Sequence, residues 1–198
     1  MEYSELATKE KTTDCFTGIG QALSTGLYDY KTCGFQKSNL ILLTARPSME
    51  KTQLALKIAE HVAVKMRVPT VIFSLEISKK QIVNRFLSMI SNVDSQIIQK
   101  GKLSDSNWEN LMKSADTIAD APLFINDTGS IKIKDLCEKC RKLKSDHNIG
   151  FVIIDYLQLV DGSSEKRNET KKEEAANISE ALKALARDIE CPVIALSS

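Results

Sequence analysis

The chain has 198 residues, 42% of them hydrophobic, which suits one domain with a sizeable core. Its 27 basic residues stand against 26 acidic ones, a formal net charge of +1, so the global basic footprint that dominates nucleic-acid affinity is missing and any DNA contact has to be local. No apolar run is long enough to span a bilayer, and the first residues lack the basic-then-apolar layout of a signal peptide, so no membrane role and a cytoplasmic protein are expected.

Residues 1–16 are polar and weakly patterned, an N-terminal arm or linker remnant ahead of a domain at 17–198. Gly18, Gly20, Gly26 and Gly34 punctuate the approach to an apolar run at 40–43 that suits a buried parallel strand. After residues 45–52, Leu54, Ala55, Ile58, Ala59 and Val62 recur at helical spacing. The β-branched run 70–75 is a second buried strand ending on Glu76, and Ser78 is placed to cap a helix that carries Ile82, Val83, Phe86, Leu87 and Ile90. Ser104 or Asp105 opens a further helix with Trp108, Leu111, Met112, Ala115 and Ile118, and Trp108 is expected in the core.

A strand at Leu123–Asn126 follows Pro122, and Leu136, Cys140, Leu143 and His147 mark a helix before Gly150. Cys137 and Cys140 form a C-x-x-C there, but a zinc site needs four ligands, no second pair stands at suitable spacing, and His61 and His147 are isolated. The five cysteines are an odd number without a disulfide framework, so reduced thiols are expected, with Cys137 and Cys140 half-buried on the helix. Phe151–Asp155 is the strongest buried-strand signal and ends on a carboxylate. Residues 162–172 turn polar and charged, suggesting a mobile loop with no DNA contact assigned to it, before a helix striped by Ala175, Ile178, Leu182, Leu185 and Ile189 and a last strand at 192–196. Strands alternating with helices imply an α/β domain with a mostly parallel sheet.

Parallel sheets bind ligands beyond the carboxyl ends of their strands, where residues 45–52, Glu76 and Asp155 all fall. Ala45, Arg46, Pro47, Ser48, Met49, Glu50, Lys51 and Thr52 read as a phosphate-binding P-loop, in which backbone N–H groups cradle phosphates, Lys51 reaches the outer ones and Thr52 holds Mg²⁺. Four apolar residues running into Asp155 match a Walker B strand whose carboxylate serves the same ion, and Glu76 is placed to orient and deprotonate an attacking water. Ala45 and Glu50 occupy the two positions at which the pattern has glycine. At position 50 a side chain crowds the phosphates, and a positive φ would cost a non-glycine residue about 1–2 kcal/mol. A carboxylate about 5 Å from a phosphate charge is repelled by about 3 kcal/mol at an effective dielectric near 20, about a hundredfold in affinity, as an upper range.

The segments Gly34-Phe35-Gln36, Ala45-Arg46-Pro47-Ser48-Met49, Phe73-Ser74-Leu75-Glu76, Lys102-Leu103-Ser104-Asp105, Ile154-Asp155-Tyr156-Leu157-Gln158-Leu159 and Leu182-Lys183-Ala184-Leu185-Ala186 occur in order. Together they closely resemble the C-terminal motor domain of DnaB-type replicative DNA helicases, from about Thr17 onward. The resemblance implies a RecA-like P-loop NTPase fold, a mostly parallel sheet with helices on both faces, truncated at its C-terminal end. It also implies ATP and Mg²⁺ as ligands, homohexameric rings of helicase subunits, and ATP hydrolysis coupled to movement on single-stranded DNA. By motif match Lys51 and Thr52 would bind phosphate and Mg²⁺, Asp155 would serve the metal, and Glu76 would be the catalytic glutamate.

Family members have glycine where this chain has Glu50, whereas alanine at position 45 is usual among them. The run from Thr25 to Thr32 is shorter than theirs, and Ser197-Ser198 stands where their strand continues into a Ser-Gln phosphate sensor. Their DNA-binding loops, arginine finger and N-terminal domain are expected to be missing. Two readings follow as expectations: a helicase ATPase domain with impaired turnover, and, as the alternative, a chain without catalysis, either a RecA-fold interaction module that joins or caps a complete helicase ring or a decayed remnant.

Overall fold

The computed structural model describes residues 34–45, 50–162 and 171–197. In chain order they form β1 (Leu40–Thr44), α1 (Lys51–Ala59) running on as a π-helical segment Glu60–Lys65, β2 (Thr70–Ser74), α2 (Lys79–Ser91), α3 (Ser95–Lys100), α4 (Asp105–Ala119) and β3 (Leu123–Asn126). Then come β4 (Ile131–Lys132), α5 (Ile133–His147), β5 (Phe151–Asp155), a 3₁₀ turn Leu157–Leu159, β6 (Val160–Asp161), α6 (Lys171–Asp188) and β7 (Val193–Ser197). The expected arm at 1–16, Gly18, Gly20, Gly26 and most of the expected loop at 162–172 lie outside the described residues. Lys171 and Lys172, expected in that loop, already belong to α6.

Five strands pair in parallel in the order β1-β7-β5-β2-β3. Because strand side chains alternate, one sheet yields two cores. Val71, Phe73, Val152, Ile154, Val193 and Ala195 point to one face, against Leu136 and Cys140 of α5 and Leu182, Leu185 and Ala186 of α6. Ile72, Phe151, Ile153, Ile194 and Leu196 point to the other, against Leu56, Ile58 and Ala59 of α1 and Ile82 and Phe86 of α2. At about 1.5–3 kcal/mol for each large apolar side chain taken fully out of water, β5 and its neighbours are the strongest anchors of the sheet. The α/β class, with a parallel sheet and helices on both faces, is as the sequence indicates.

Local signals set the helix ends. The Ser78 hydroxyl accepts from the Gln81 N–H, and the Gln81 side chain accepts from the Ser78 N–H, a reciprocal capping box that starts α2. Ser104 caps α4 by accepting from the Asn107 N–H. Two features have no counterpart in the expected elements. The short helix α3 is capped by Asp94, and the two-residue strands β4 and β6 pair as a separate ribbon, too brief to leave a periodic pattern.

Three expectations need correction. Trp108 is not core: it is 55% exposed and Met112 58%, whereas Leu111 is 7% exposed. α4 packs on α2, so its inward stripe is Asn107, Leu111, Ser114 and Ile118, with Trp108 and Met112 on the flank. The run at 40–43 is parallel but not buried, since β1 is the last described strand of the sheet and Leu42 is 50% exposed on the face away from Ile41 and Leu43. Cys137 and Cys140 are fully rather than half buried, packed between α5 and the sheet. Cys137, Cys140 and Cys191 are free thiols. No group of three metal-ligating side chains occurs among the described residues.

Candidate functional site

Three strand ends place the polar groups. β1 stops at Thr44, and the chain returns at Glu50 to begin α1; Arg46, Pro47, Ser48 and Met49 lie outside the described residues, while Ala45 is half-buried beside β1. β2 and β5 are adjacent and in register, Ser74 opposite Asp155. The Leu75 N–H donates to the Asp155 carbonyl at 2.7 Å, which ties the two strand ends together. The Ser74 hydroxyl donates to the Ile77 carbonyl at 2.7 Å, closing a tight turn whose exposed residue is Glu76.

Residues from the predicted loop and the predicted Walker B strand meet. The Thr52 hydroxyl donates to Asp155 Oδ2 at 2.8 Å, joining α1 to β5 across 103 residues of sequence. Lys51 Nζ donates to the Ala45 carbonyl at 3.2 Å and to the Ser197 carbonyl at 2.8 Å, so one ammonium spans the ends of β1 and β7. Gln158 Nε2 donates to Ser197 Oγ at 2.9 Å beside it. Asp155 is 5% exposed, and burial pushes its carboxyl above the ordinary carboxylate range. The nearby charge of Glu76 acts in the same direction, while the Thr52 hydrogen bond and the charges of Arg85 and Lys51 act against it. Glu76 is therefore close enough to Asp155 to be felt electrostatically.

Arg85 is the member of this constellation that sequence reasoning missed. It stands on α2 between Ile82 and Phe86, both buried against the sheet, and is itself half-buried. A cation inside an apolar helical stripe was the available signal.

Glu50 has φ 45° and ψ 39°, the left-handed region in which glycine carries no side-chain penalty. Its carbonyl accepts from the Leu54 N–H at 3.2 Å, opening α1, but its carboxylate makes no capping bond and is exposed. A helix N-terminus is where free N–H groups and the helix dipole favour an anion. In this chain the position already carries one negative charge.

The family described as the DnaB-like helicase C terminal domain matches residues 22–198. The chain belongs to that family. It is 45% identical over 169 residues to the replicative DNA helicase DnaB of Geobacillus stearothermophilus, covering 85% of this chain and 37% of that protein. It is 39% identical over 169 residues to the replicative DNA helicase DnaC of Bacillus subtilis (strain 168), with the same coverage of 85% and 37%. Among solved structures, one described as an ATPase domain superposes with a TM-score of 0.83 at 28% identity, covering 98% of this chain and 67% of that one. A DnaB-like replicative helicase, described with its interactions with primase, superposes at 0.77 and 27% identity, covering 90% of this chain and 47% of that one. This DnaB-like C-terminal domain thus spans 37% of the length of the curated relatives given above. No helix among its described residues is long and apolar enough to cross a membrane.

Proposed function

We propose that this DnaB-like domain is a replicative-helicase motor domain with a nucleotide cup whose affinity for ATP is lowered by Glu50. The observation that carries the reading is the convergence of Lys51, Thr52 and Asp155, with Glu50 in a left-handed conformation at the start of the same helix. Residues 17–198 act as the motor unit and 1–16 as the arm before it.

The donor set suits Mg²⁺, a hard cation that prefers oxygen ligands: the Thr52 hydroxyl and the Asp155 carboxylate already meet at 2.8 Å. When bound, the ion would neutralise phosphate charge. Lys51 would exchange its two carbonyl acceptors for phosphate oxygens, which costs those hydrogen bonds but gains charge-assisted ones. The backbone from Ala45 to Glu50 would cradle the phosphates. Glu76 would orient and deprotonate the attacking water, with Asp155 on the adjacent strand and Arg85 offsetting the Asp155 charge. In the whole protein this chemistry would drive homohexameric helicase subunits along single-stranded DNA.

Because the Glu50 carboxylate is exposed, water screens it, and the repulsion of a phosphate at about 5 Å falls from about 3 toward about 1 kcal/mol. Binding weakened about five- to hundredfold is the consequence. Glu50 also favours a second reading, a non-catalytic RecA-fold module that joins or caps a complete ring. Titration with a fluorescent ATP analogue, with and without Mg²⁺, tests the first reading. Weak, Mg²⁺-dependent binding that disappears in Lys51→Ala is expected. Micromolar binding by the unaltered chain, or weak binding indifferent to Lys51→Ala, defeats the proposal.

A further inference from the structure

The sheet edge remote from Lys51 carries a groove that the nucleotide cup does not use. β3 has β2 as its one described neighbour in the sheet, and all four of its residues are half-buried, whereas β2 and β5 are buried throughout. Four strand spacings separate β3 from β1, about 19 Å at about 4.8 Å each. Along β3, toward α5, runs an open groove of about 580 Å³.

Its floor is apolar: Phe124 and Leu143 line it and pack on the core beneath. The Phe124 ring lies 4.6 Å from the ring of His147 at the end of α5. Its rim is cationic. Lys79, Lys139 and Lys142 line it against a single lining carboxylate, Asp146. The ion pairs among the described residues involve Lys57, Lys65 and Arg141, so these three ammonium groups are in none of them. Asp127, near the groove mouth, is engaged by the Lys79 backbone N–H at 2.8 Å.

An edge strand offers alternate N–H and C=O groups that a further strand can pair with. Strand addition draws affinity from main-chain hydrogen bonds and specificity from pockets for alternate side chains. Here the floor suits apolar side chains and the rim suits carboxylates, a combination found in an acidic extended segment. We propose that the β3 edge takes up such a segment of a partner protein as a sixth strand, its apolar side chains over Phe124 and Leu143 and its carboxylates toward Lys139, Lys142 and Lys79.

The test uses the full chain, ¹⁵N-labelled, and a fluorescein-labelled ten-residue peptide, Val-Thr-Glu-Thr-Val-Thr-Glu-Thr-Val-Thr, whose valines and glutamates share the one face that would look toward α5. Binding is expected to shift the amide signals of Leu123, Phe124, Ile125 and Asn126 and to slow exchange of the outward β3 amides at least tenfold. Lys139→Glu with Lys142→Glu should weaken the peptide about tenfold, the neutral pair Lys139→Gln and Lys142→Gln by less, and neither should alter fluorescent-nucleotide affinity. Equal binding of a peptide N-methylated at alternate residues would overturn strand addition. So would peptide binding that leaves the β3 amides unmoved, no peptide binding at all, an outward Ile125 amide already protected in the free protein, or a thymidine oligonucleotide that displaces the peptide from the groove.

Discussion

Asp155 does two opposed things in this domain. Its carboxylate is the acceptor that ties α1 to β5 through Thr52, yet burial holds its protonated form at an advantage in the folded state. A carboxyl whose folded pKa is raised contributes stability that is complete below its unfolded value, near about 4, and lost as pH rises through the folded value. Asp155→Asn keeps a carbonyl acceptor for Thr52 and removes the ionisation. Thermal unfolding followed from pH 4 to pH 8 should therefore show the variant gaining Tm relative to the unaltered chain as pH rises, while its Mg²⁺-dependent nucleotide binding is lost. A variant whose Tm relative to the unaltered chain stays constant or falls from pH 4 to pH 8 would contradict the burial argument. Glu50 differs in kind, because its φ of 45° is present in the protein without ligand and so bears on stability, whereas its charge is proposed to bear on phosphate binding.

Among the elements, α4 separates what periodicity reveals from what it hides. Its apolar spacing announces a helix, but the buried side is chosen by its neighbour, and a helix seated on α2 rather than on the sheet buries only a narrow stripe. Leu111→Ala should accordingly cost about 2–5 kcal/mol, and Trp108→Ala less than about 1 kcal/mol, in denaturant titrations. Comparable losses at the two positions would restore Trp108 to the core. At the start of α2, Ser78→Ala removes the acceptor for the Gln81 N–H and should lower stability by about 1 kcal/mol, a Tm drop of about 2–4 °C for a chain of this size. An unchanged Tm would mean that tertiary packing, not the capping box, sets that helix end.

For the molecule as a whole, the strand ends are the part legible in the sequence. Runs such as Phe151–Asp155 carry their own signal, and a carboxylate at the end of a fully apolar run marks a position beyond the sheet's carboxyl edge without knowledge of its partners. The Thr52–Asp155 hydrogen bond follows from that convergence. Arg85 is hidden because its role depends on how α2 lies over β2 and β5, and the exposure of Leu42 because strand order is set by pairing across distant sequence. The left-handed conformation of Glu50 is foreshadowed only as a condition, by the glycine the motif asks for. The proposed function therefore turns on one physical point: Lys51, Thr52 and Asp155 converge at the strand ends, with the Glu50 side chain at the start of the same helix. The most direct measurement is the affinity of a fluorescent ATP analogue with Mg²⁺ for the unaltered chain, Glu50→Gln and Glu50→Gly. A gain of about five- to hundredfold in Glu50→Gly, most of it already present in Glu50→Gln, is predicted. Equal affinities across the three proteins would contradict it.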